Sequence, residues 1–121
     1  MKAKKVKIGI KSIEDALNDA KEVMKKIERG EKVRKEVGVY FTSFEAFRKA
    51  LTPKRLELLH TVKAEQPRSI NELARLLKRD IKNVAEDVKY LIQIGFIERE
   101  GHEREVKPSI NYDRIALEIA I

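Results

Sequence analysis

The stretch from Ser69 to Gly95 constrains the fold most. Ser69 and Glu72 form a Ser-x-x-Glu capping box, the side-chain signature of a helix start. Leu73, Ala74, Leu76 and Leu77 follow as the apolar residues of that helix. Lys78, Arg79 and Asp80 leave room for a three-residue turn, and Asp80 can cap the next helix. Ile81, Val84, Ala85, Val88, Leu91 and Ile92 then recur at helical spacing. Gly95 is placed to end this second helix with a left-handed cap. Two amphipathic helices joined this tightly form a helix-turn-helix.

The flanks extend the unit. Thr52 and Pro53 mark another helix start, a cap followed by proline at the first helical position. Leu56, Leu59, His60 and Val62 follow on what reads as one face, and Gln66, Pro67 and Arg68 break the helix. After Gly95, residues 96–100 read as a strand, Gly101 and His102 as its turn, and residues 104–107 as the return strand, closed by Pro108. A hairpin directly after the second helix makes a winged helix. The runs SINELARLL from Ser69, NVAEDVKYL from Asn83 and IGFIEREG from Ile94 resemble the winged helix-turn-helix transcriptional regulators of the MarR/ArsR type. They are most similar to small archaeal and bacterial predicted regulators, over roughly residues 40–112. The resemblance implies that residues 81–93 lie in the major groove and that the hairpin near Gly101 reaches the neighbouring backbone.

Helical geometry of about 100° per residue gives this implication content. The apolar face of the second helix centres on Ile81, Val84 and Val88. Opposite lie Lys82, Asn83, Glu86 and Tyr90, the candidate base contacts, with Lys89 and Gln93 at the edges. Asn can pair two ways with adenine, Lys can reach guanine or phosphate, and Glu can accept from cytosine. A solvated helix face would also be polar, and phosphates repel both Glu86 and Asp87. Asp87 lies toward the flank, where a nearby Lys or Arg can pair with it. Candidate backbone contacts are Arg68, Arg75, Lys78, Arg79 and Lys89 around the turn, with Arg99, His102, Arg104 and Lys107 on the wing. The wing also carries Glu98, Glu100, Glu103 and Glu105, so its net charge is near zero.

The ends of the chain differ in pattern. Val6, Ile8 and Ile10 alternate with polar or small residues, the period of a strand with one apolar face. Ser12 and Asp15 open a helix whose apolar stripe comprises Ile13, Ala16, Leu17, Ala20, Val23, Met24 and Ile27, with Gly30 placed to end it. Residues 37–41 read as a short strand or extended link, and Thr42 with Glu45 as a capping box before Phe44, Phe47, Ala50 and Leu51. Residues 114–121 alternate again as a last strand. The two terminal strands pair either with each other or with those of a second chain.

The expected fold is therefore mainly α with small β (α+β). A winged helix-turn-helix over residues 39–112 lies between an N-terminal strand-helix extension (1–38) and a C-terminal strand (113–121). Both ends are expected to dimerise, giving a homodimer.

Composition bounds the function. The chain has 121 residues, 27 basic against 20 acidic, and a formal charge of +7, which favours a polyanionic partner such as double-stranded DNA. Residues 1–38 hold 12 basic and 7 acidic side chains, so most of the excess lies outside the helix-turn-helix. The absence of cysteine removes disulfides, thiolate zinc sites and a cysteine nucleophile. His60 and His102 lack partners at metal-ligand spacing, and no phosphate loop or nucleophile–base pair is visible. No catalytic residue, cofactor or metal is expected. No signal peptide or membrane span is expected either, and this places the chain in the cytoplasm. The expected function is a dimeric, sequence-specific transcriptional regulator. The alternative is a protein-interaction adaptor or an antitoxin-like winged helix with a protein partner.

Overall fold

A computed structural model describes residues 5–32, 38–101, 105–119 and 121. Its order is β1 (Lys5–Ile10), α1 (Ile13–Glu28), β2 (Gly38–Phe41), α2 (Phe44–Ala50), α3 (Pro53–Glu65), α4 (Ile70–Leu77), α5 (Ile81–Ile94), β3 (Glu98–Glu100), β4 (Lys107–Ser109) and β5 (Arg114–Ile119). This is an α+β fold. The chain divides into two compact units, Met1–Lys49 with Asp113–Ile121, and Ala50–Tyr112.

The first unit is a three-stranded parallel sheet in the order β2-β1-β5. The two terminal strands thus pair within one chain, with Val6 opposite Ile115 and Ile8 opposite Leu117. Helix α1 joins the parallel neighbours β1 and β2, the connection that parallel pairing requires. Val6, Ile8 and Val39 share one face and are buried, whereas Leu117 and Ile119, on the same face by register, are exposed on the edge strand β5. Gly9 lies opposite Tyr40 on β2, where a Cβ would sit 2.7 Å from the tyrosine ring. The Lys11 ammonium rests 4.1 Å from that ring's centre and also bonds the Asp19 carboxylate. Both partners favour the charged amine and hold its pKa above the ordinary range, Asp19 most.

Ser12 caps α1 by accepting from the Asp15 amide at 3.1 Å. The helix forms as its spacing predicts, yet none of its residues is buried. The next cap is Ser43 rather than Thr42: its Oγ accepts from the Ala46 amide at 3.1 Å. Phe47 packs edge-on to Phe41 with ring centres 5.9 Å apart.

Helices α3, α4 and α5 and the β3-β4 pair make the second unit. Its core is Leu58, Leu59, Val62, Leu73, Val84, Val88, Leu91, Phe96 and Ile97. Thr52 caps α3, and Gln66 ends it in a left-handed conformation at φ 48°. Leu56 and His60 are exposed, so the buried face of α3 is Leu58, Leu59 and Val62 rather than the stripe read from spacing. Tyr112 closes the unit by donating to the Phe96 carbonyl at 2.7 Å, and burial pushes its phenol pKa up.

Two expected boundaries shift. The second unit begins at Ala50, not at residue 39, because residues 38–41 are recruited by β1 as a sheet neighbour. The return strand is Lys107–Ser109, so Pro108 stands inside it, opposite Arg99. A two-stranded pair leaves each strand one open edge, where a missing N–H disrupts no ladder.

Candidate nucleic-acid interface

Local chemistry sets the turn between α4 and α5. The Ser69 hydroxyl accepts from the Glu72 amide at 3.1 Å. Lys78 ends α4 with φ 54° and ψ 45°, and the Arg79 amide returns to the Ala74 carbonyl at 3.1 Å. Asp80 caps α5 by accepting from the Lys82 amide at 2.7 Å. Val84, Val88 and Leu91 anchor α5 in the core. Lys82, Asn83, Glu86, Lys89 and Gln93 are consequently turned together to solvent.

Three of the four candidate base contacts, Lys82, Asn83 and Glu86, share this exposed face. Tyr90 is placed differently. It is half-buried, with the Arg55 guanidinium carbon 4.2 Å from its ring centre. Arg68, Arg75 and Lys78 are exposed around α4 and the turn. Arg99 is exposed on β3, and Lys107 faces Glu100 at 3.7 Å. His102 and Arg104 lie outside the described residues.

Arg79 requires a correction as a phosphate contact. Its Nη2 donates to Asp87 Oδ2 at 2.7 Å, and its Nη1 is buried with no hydrogen-bond partner among the described residues. The guanidinium turns inward because Asp87 offers a carboxylate that is only 17% exposed. Asp87 also receives Arg55 Nε at 3.1 Å, and Arg55 Nη1 donates to the Ala50 carbonyl at 3.0 Å. One carboxylate thus ties α3 and the turn to α5. Asp87 is an internal clasp, as its flanking position on the helix suggested. Arg55 is the partner that sequence reasoning missed. Its available signal was an arginine in the first turn of α3, which spacing alone cannot connect to a residue 32 positions away.

The HVO_A0114 family model matches residues 50–117. The chain belongs to the HVO_A0114 family. The HVO_A0114 match starts where the second unit starts and runs on into β5, so it holds the α4–turn–α5 segment and the β3-β4 pair. No curated protein and no solved structure matches the chain. Among the described residues no helix is long and apolar enough to cross a membrane, and no cluster of His, Asp or Glu could hold a metal ion.

Proposed function

We propose that the Ala50–Tyr112 unit is a winged helix-turn-helix that binds double-stranded DNA and serves as a cytoplasmic transcriptional regulator. One observation carries the reading. A helix anchored by Val84, Val88 and Leu91, reached through a three-residue turn, displays Lys82, Asn83, Glu86, Lys89 and Gln93 on one exposed face. Those side chains suit base edges and phosphates in a major groove. The resemblance to MarR/ArsR-type regulators supports it. Arg68, Arg75 and Lys78 supply phosphate contacts, and Tyr90 and Arg79 position the helix rather than touch DNA.

The active form is a homodimer through α1. Its exposed stripe of Ile13, Leu17, Met24 and Ile27 needs cover. Its charges are graded, Glu14 and Asp15 in the first turn against Lys25 and Lys26 in the last, so a second copy running antiparallel is complementary. A Leu17→Asp variant that remains dimeric by light scattering would remove α1 from the interface.

The test is fluorescence anisotropy with duplex DNA from upstream of the chain's own gene and a scrambled duplex, at roughly 50 and 200 mM salt. Tighter binding to the upstream duplex with a steep salt slope is expected. Equal binding to both refutes sequence specificity. No binding at low salt refutes the DNA reading and favours a protein partner, which the exposed Glu86 would suit.

A further inference from the structure

The sheet of the first unit has two open edges, and they are not alike. Strand β2 has four residues and begins at Gly38. Strand β5 has six, in unbroken register with β1 from Arg114 to Ile119. Among the described residues its other side has no strand partner, so its outward N–H and C=O groups form an unused ladder. Proteins blunt such an edge with proline, lysine or a bulge. Strand β5 contains none of these.

The apolar face of the sheet is also left unfinished there. Ile115, Leu117 and Ile119 stand opposite Val6, Ile8 and Ile10, on the face where Val6 and Ile8 are buried. Leu117 and Ile119 remain 43% and 50% exposed. On the other face Arg114 and Glu118 are both exposed, placed symmetrically about Ala116.

That spacing is self-complementary. A two-fold axis perpendicular to the sheet reverses the second strand and keeps each face on its own side. With the axis at Ala116, Arg114 of each copy stands opposite Glu118 of the other, and Ile115 stands opposite Leu117. An axis at Leu117 puts Glu118 opposite Ala116 and makes no ion pair across the seam. Charge therefore selects one register. We propose that β5 pairs antiparallel with β5 of a second copy of this chain about an axis at Ala116, joining two three-stranded sheets into one. Glu118 keeps its Lys7 bond at 2.7 Å, and Arg114 of the second copy approaches from the open side. A strand of another protein would need the reverse order of charges, which a second copy supplies by symmetry. The strand pair is a different interface from α1 and rests on neither the α1 dimer nor the DNA reading. Where α1 dimers form, it joins them in pairs.

The chain has no cysteine, so a single one reports on the seam. Ala116→Cys should give a disulfide-linked dimer under mild oxidation. Ile119→Cys should not, because its two copies stand roughly 20 Å apart at about 3.4 Å per residue, beyond the ~7 Å that a disulfide spans. Adding Arg114→Glu to Ala116→Cys sets like charges opposite each other and should slow the linking at least about tenfold. Adding Glu118→Arg as well should restore it. In the unaltered chain, amide exchange followed by NMR should slow along β5 as protein concentration rises. The proposal is overturned if β5 exchange ignores concentration, if Ile119→Cys links as fast as Ala116→Cys, or if the charge swap fails to restore linking. The exchange measurement stands even where a variant fails to fold. Concentration dependence confined to α1 would refute the strand pair and leave the α1 dimer standing.

Discussion

Helices α1 and α5 read alike in sequence and end differently in space. Both are amphipathic, of 16 and 14 residues, and both begin at a capping Ser or Asp. Helix α5 buries Val84, Val88 and Leu91 completely. Helix α1 leaves Ile13 at 66% and Ile27 at 61% exposure. Periodicity states that a face needs cover; it does not state what covers it. Helix α5 finds its cover nearby, because short turns tie it to α4 and the β3 segment. Helix α1 is bound to strands on both sides and keeps its stripe outward.

The sharpest break in this comparison targets the clasp that α5 has and α1 lacks. Asp87→Ala leaves Arg55 and Arg79 as partly buried cations without their carboxylate. A loss of about 3–5 kcal/mol in urea unfolding is expected. A loss under about 1 kcal/mol, the scale of an exposed pair, would show that the clasp is solvated.

Next comes a matched pair of truncations. Leu91→Ala should cost about 2–5 kcal/mol at any protein concentration. Met24→Ala should cost less than about 0.5 kcal/mol in dilute solution. Its cost should grow with concentration if a second copy covers α1, as the proposed dimer requires. A Met24 cost independent of concentration would mean that the helix is covered within its own chain.

The polar face of α5 is probed by Asn83→Ala. We expect a loss of about 1–3 kcal/mol at the preferred duplex and relaxed discrimination at one base pair, read by anisotropy. An equal loss on every duplex would show that Asn83 does not read bases.

Tyr112→Phe removes the donor to the Phe96 carbonyl and should cost about 1 kcal/mol. Burial raises the phenol above its ordinary pKa of 10.0. The stability gained from keeping it neutral is full below that value and fades as pH rises through the folded-state pKa. Alkaline melts should therefore show a loss above pH 10 in the native chain that Tyr112→Phe lacks.

The smallest effect lies on the sheet. Lys7 bonds Glu118 at 2.7 Å and lowers its carboxyl below the ordinary 4.5. Its contribution is present above that value and fades as pH falls through the lowered pKa. A carbon-detected titration of Glu118 should show this downward displacement, and Lys7→Gln should remove most of it, with Lys11 and Lys5 supplying the remainder.

Much of the second unit was legible because its signals are local. Ser69, Thr52, Asp80 and Gly95 do what their residue types predict, since an N-cap accepts from an amide, and a C-cap amide donates to a carbonyl, two to four positions away. The exposed trio Lys82, Asn83 and Glu86 followed from helical period alone. Tyr90 and Arg79 were misplaced because each found a partner outside its own element, Arg55 and Asp87 respectively.

The amino-acid sequence by itself determined the kind and order of most elements, because caps, breakers and periodicity act over a few residues. Only the tertiary structure decided that β1 sits between β2 and β5, that the boundary falls at Ala50, and that Asp87 clasps two arginines. Any half-apolar strand offers the same backbone groups to any other, and any carboxylate attracts any guanidinium. Choosing among such partners takes contacts between residues far apart in the chain, which local patterns do not encode.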